Sequence, residues 1–146
     1  MKKFAFPLDR VMEFRRMQAR LEEVKLEGLY AGLRAIDSRE VTVIQRRALS
    51  EKALKSAASV TGDELQTFNA YGLAMKEELK RMDKTRVECR KRIDAQLAVL
   101  TVKRREVKLL EKLKEQRFEK WEKEMFKDID SQADEAYLSK WNGANG

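Results

Sequence analysis

The chain has 146 residues, 39% of them charged, with six glycines, one proline, one cysteine, no histidine and a formal charge of +7. These figures exclude a histidine-based triad, a histidine-containing or multi-cysteine metal site and an internal disulfide, and they disfavour a layered fold with a thick core. So few Gly and Pro leave few places to turn, while Lys, Arg, Glu, Leu, Ala and Met favour long uninterrupted helices.

In chain order, MKKFAFPLDRVMEFRR places Phe4 and Phe6 directly before Pro7. Proline suits the first helical turn, where its missing N–H has no partner to lose, so the pattern predicts a helix over about 7–58. Phe14, Met17, Leu21, Val24, Gly28, Ala31 and Ala35 then recur at alternating spacings of three and four, and Leu26, Leu29, Leu33 and Ile36 form an adjacent stripe. Gly28 and Gly32 each weaken a helix by roughly 1 kcal/mol relative to Ala, and read as positions where another backbone packs closely.

The strong interruption is SVTGDELQTF. Thr61 can cap a following helix, Glu64 can reach back to the Thr61 amide, and Asp63 and Glu64 place negative charge at the positive end of the helix dipole. A turn over about 58–62 and a second helix over about 62–141 follow. Met75, Leu79, Met82, Arg86, Cys89, Ile93, Gln96, Leu100, Lys103, Val107 and Leu110 keep heptad spacing through this helix. Its polar members weaken pairing and fix register, and Cys89 reads as a small core residue rather than a nucleophile.

Two long helices joined by one short turn must run antiparallel, because neither can bury its stripe alone. The predicted fold is all-α: a long antiparallel two-helix coiled coil, or helical hairpin, forming a single domain over 1–146 with an overhanging C-terminal helical segment. A fifty-residue helix is about 75 Å long, so folding about residue 60 sets Pro7 opposite a point near residue 114. The surplus, QRFEKWEKEMFKDIDSQADEAYLSKW, carries Phe118, Trp121, Met125 and Ile129 at helical spacing, with Phe126 alongside. Its many acids, Glu119, Glu122, Glu124, Asp128 and Asp130, argue against an anionic membrane surface and for a protein partner. Phe4 and Phe6 share that end, so both termini are expected to form an apolar tip. The competing reading is that these phenylalanines staple the first helix to its neighbour near Leu113.

No apolar run approaches the roughly 20 residues needed to cross a bilayer, and FAFPL is too short and too soon interrupted by Asp9 and Arg10 to serve as a signal peptide, so no direct membrane insertion is expected. Arg46-Arg47, Arg90-Lys91-Arg92 and Lys103-Arg104-Arg105 are basic clusters of the kind that follow phosphates. Acids punctuate them and no recognition motif accompanies them, so they read as solvated faces and no nucleic acid is expected as a partner. With no glycine-rich phosphate loop and no convergent pocket in prospect, the chain reads as a non-enzyme with no catalytic residue, cofactor or metal.

The opening KKFAFPLDRVMEFRR resembles the start of the FliJ family, small coiled-coil proteins of the bacterial flagellar type III export apparatus. DELQTFNAYGLAM is similar to that family's second-helix start, and LLEKLKEQRFEKWEKEM with Asp134 to Ala136 is similar to its C-terminal pattern; the resemblance spans the chain in order. It implies a non-enzymatic coiled-coil stalk and adaptor in flagellum biogenesis and protein export, cytoplasmic and peripherally attached to the inner membrane through its partners. Those partners are a hexameric export ATPase whose ring assembly it promotes, a membrane export-gate protein, and export chaperones. The resemblance places the ATPase-ring contact at the tip, on Phe4, Phe6, Leu8, Phe118, Trp121 and Met125. By alignment on FNAYGLAM the export-gate contact falls on Tyr71, Met75, Glu78 and Met82, where Glu78 replaces a small residue and the two methionines also belong to the heptad frame. An injectisome stalk homologue and a generic coiled-coil scaffold fit the same pattern.

Overall fold

The computed structural model describes residues 2–145. It is all α: helix α1, Asp9–Ser56, and helix α2, Gly62–Asn145, pack against each other as a helical hairpin. Pro7 and Leu8 form a turn ahead of α1, in which the Asp9 N–H donates to the Phe6 carbonyl at 3.1 Å and the Met12 N–H to the Leu8 carbonyl at 2.9 Å. Proline therefore shapes the entry to the helix, and Asp9 takes the first-turn position that favours negative charge.

The chain turns over residues 57–61. Thr61 opens α2: its hydroxyl accepts from the Glu64 N–H at 3.2 Å and its carbonyl from the Leu65 N–H at 3.1 Å. The cap is one-sided, since no bond from the Thr61 N–H to Glu64 forms among the described residues.

Packing divides into two compact units, residues 20–100 and residues 1–19 with 101–146. Within residues 20–100, Val43, Met75 and Met82 form a buried cluster against which Ile36 and Leu79 pack, and Ile93 and Leu100 are buried as well. The α2 positions in this unit are those of the predicted frame. On α1 the outcome differs. The stripe through Leu26, Leu29, Leu33 and Ile36 faces α2 and continues to Glu40 and Val43, whereas Leu21, Val24, Gly28, Ala31 and Ala35 lie exposed.

The physical reason lies in the polar members of the seam. Gln96 donates through Nε2 to the Glu22 carbonyl at 3.0 Å and also to its carboxylate. Arg86 spreads its guanidinium over Asp37 at 3.1 Å, Asp83 at 2.7 Å and Glu40. A guanidinium whose side chain is 13% exposed must be paired, so α1 turns its acids inward at the expense of the more continuous apolar stripe. The expected close-packing role of the glycines is likewise corrected: a Cβ added at Gly28 or Gly32 meets nothing within 4 Å. Cys89 is half-buried, its thiol 3.5 Å from the Leu29 carbonyl it donates to.

In the other unit, Met12 and Ala19 are buried. Arg15 pairs with Glu106 at 3.0 Å, Arg16 with Glu111 at 3.2 Å and Asp9 with Lys114 at 2.8 Å. The last contact sits close to the point opposite Pro7 that helix length alone predicts.

Candidate docking surface at the chain ends

Residues 2–8 run back along α2 and pack there before α1 begins. Phe4 meets Phe118 edge-on at 5.2 Å and Trp121 at 5.9 Å, while the Phe118 and Trp121 rings stack at 5.7 Å. The Trp121 indole N–H donates to the Lys2 carbonyl at 3.2 Å. Phe6 is 5% exposed, and the Arg117 guanidinium lies 5.5 Å above its ring. This cluster joins offset aromatic contacts, a cation over a ring and a backbone anchor, each adding of order 1 kcal/mol.

Of the six tip residues expected to face a partner, Phe6 is therefore corrected to a core residue of the hairpin. Phe4, Leu8, Trp121 and Met125 are half-buried, and Phe118 keeps 42% of its surface in solvent. The stapling role is the one these contacts describe, with Arg117 meeting Phe6 and with Phe118 and Trp121 meeting Phe4.

Beyond Met125 the character changes. Every residue from 126 to 144 is exposed although the segment stays helical. Phe126, Ile129, Tyr137, Leu138 and Trp141 are large apolar side chains on this stretch. Phe126, Ile129, Ala133 and Tyr137 follow three-and-four spacing, a signal readable in the sequence that extends the aromatic run past Met125. A helix with an apolar stripe and no neighbour among the described residues can seat that stripe in a complementary groove.

The residues matched to an export-gate contact are not brought together on one surface. Met75 and Met82 are 4% and 6% exposed and belong to the cluster with Val43. Glu78 is half-buried and accepts from Arg39 at 3.4 Å. Tyr71 is exposed beside a shallow groove lined by Arg47, Glu51, Phe68 and Asn69. Among the described residues, no helix is long and apolar enough to cross a membrane. Comparison of the chain with protein families, curated proteins and solved structures finds no significant match to any of them.

Proposed function

We propose that the protein is a non-enzymatic coiled-coil stalk and adaptor of a bacterial type III export apparatus of the flagellar kind. In this reading it inserts its chain ends into a hexameric export ATPase and works at the cytoplasmic face of the inner membrane through its partners. The observation that carries the reading is the exposed helical segment 126–144, whose apolar side chains follow directly on the aromatic clamp that holds residues 2–6 against α2. The resemblance of the chain's start, second-helix opening and C-terminal pattern to the FliJ family supplies the partner.

The mechanism asks little of chemistry. One helical end in a six-fold ring cannot touch six subunits alike, so it stabilises some subunit conformations over others, and differential contact is the requirement for any shift in population. ATP hydrolysis belongs to the ring. Contact with an export gate would fall on Tyr71 and the exposed residues around it, since Met75 and Met82 are occupied inside the hairpin. The experiment is co-sedimentation of the purified chain with the hexameric export ATPase of the same cell. Full-length chain should bind; a chain ending at Met125 should not, while keeping its hairpin. Equal binding by both chains, or by neither, contradicts the reading.

A further inference from the structure

We propose that α1 pairs antiparallel with α1 of a second copy of this chain, through the apolar stripe that the hairpin leaves outside. Phe14, Met17, Leu21 and Val24 are 55%, 61%, 57% and 58% exposed. With Gly28 and Ala31 they keep strict three-and-four spacing on one uninterrupted helix. That is the spacing of a coiled-coil seam, and the seam facing α2 is already filled by other residues.

Two features of this stripe select the occupant. The first is size. When two such helices run antiparallel with Leu21 opposite Val24 of the second copy, Met17 falls opposite Gly28 and Phe14 opposite Ala31. Each large side chain thus meets a small one, as dense interdigitation of two helices requires. The register also gives Gly28 a packing purpose, because no other part of the described residues approaches within 4 Å of a Cβ built there.

The second is charge. Glu13, Arg20, Glu27 and Arg34 recur every seven residues beside the stripe, all four are exposed, and none joins an ion pair among the described residues. The register fixed by the apolar layers sets Glu13 against Arg34 and Arg20 against Glu27 across the two-fold axis, so that every pairing is of opposite sign. Moving one copy by a heptad sets Arg20 against Arg34 and Glu27 against Glu27. Like charges in flanking positions discriminate against such alternatives. An unrelated acidic or basic helix would meet mixed charge here, whereas a reversed copy of the same helix matches it throughout, which is the property of a self-complementary two-fold interface.

The contact runs over about 22 residues, or roughly 33 Å of helix, which places it at the small end of specific interfaces and makes the dimer reversible. The test is sedimentation equilibrium of the full chain up to about 100 μM, with helicity followed by circular dichroism. The wild type should show monomer and dimer in concentration-dependent exchange. Arg20→Glu sets two pairs of like charge in the interface and should weaken the dimer by roughly tenfold or more. The double change Arg20→Glu with Glu27→Arg restores both pairs and should restore the dimer. Leu21→Glu should leave a folded monomer. A wild type that stays monomeric over the whole range overturns the proposal; so does a dimer indifferent to Leu21→Glu, or a double change that fails to recover the dimer. None of these outcomes bears on the proposed binding to an export ATPase, which rests on residues 126–144.

Discussion

Arg86 and Glu40 meet across the seam of the hairpin, and Asp37 and Asp83 complete the shell around the guanidinium. An arginine at a heptad core position is unfavourable alone, but each of its three guanidinium nitrogens donates to a carboxylate, which fixes how far α1 slides along α2. Arg86→Ala should lower unfolding free energy by about 2 kcal/mol, since it leaves Glu40 half-buried without a partner and opens a gap beside Met82. A double-mutant cycle with Glu40→Ala should give a coupling of about 1–2 kcal/mol in denaturant melts. Replacing both partners, Arg86→Leu with Glu40→Leu, should be close to neutral in stability yet loosen the register, seen as broadened distances between spin labels on the two helices.

Phe6 and Phe4 separate the two roles at the chain ends. Phe6→Ala should cost about 2–3 kcal/mol of local stability, less than a deep core truncation because residues 2–8 can relax into solvent. The measurement is fluorescence of Trp121, whose bond to the Lys2 carbonyl breaks when that segment lifts; Trp141→Phe removes the second indole from the signal. Phe4→Ala should cost nearer 1 kcal/mol, its ring being only half-buried.

Met75, Met82 and Tyr71 share a stretch of α2 but differ in what they touch. Met75→Ala or Met82→Ala should destabilise the chain by about 2–4 kcal/mol, because each removes volume from the cluster with Val43. Tyr71→Ala should leave stability within about 0.5 kcal/mol of the wild type. Thermal melts of the three variants read this directly, and any binding defect in Tyr71→Ala is then a surface effect.

The α2 frame from Met75 to Leu110 was legible because its apolar members outnumber its polar ones and keep one phase. The Thr61 cap was legible too, since Thr, Gly, Asp and Glu in succession end one helix and begin another. On α1, residue type misled: Phe14, Met17, Leu21 and Val24 look like core, and the true seam carries Arg15, Glu22 and Glu40. Those three make sense only with Glu106, Gln96 and Arg86 in place, and partners 46 to 91 residues away leave no trace in local periodicity. Phe6 was legible only as an alternative, the stapling of the first helix to its neighbour, because its burial depends on α2 residues far along the chain such as Arg117.

Thr61 is the hinge of the hairpin in sequence and a single cap in structure. Thr61→Ala removes the oxygen that accepts from the Glu64 N–H and should cost about 1 kcal/mol, whereas Thr61→Ser or Thr61→Asp should retain most of it. Hydrogen exchange at Glu64 and Leu65 should quicken in the alanine variant and stay slow at Met82.

The proposed role rests on residues 126–144 meeting a hexameric export ATPase, and the most direct measurement is that enzyme's turnover as the chain is titrated in. Turnover should rise and saturate with full-length chain, and stay at its basal rate with Phe126→Asp combined with Tyr137→Asp, two exposed positions whose change leaves the hairpin folded. Turnover unaffected by the full-length chain, or raised equally by the double variant, would contradict the account.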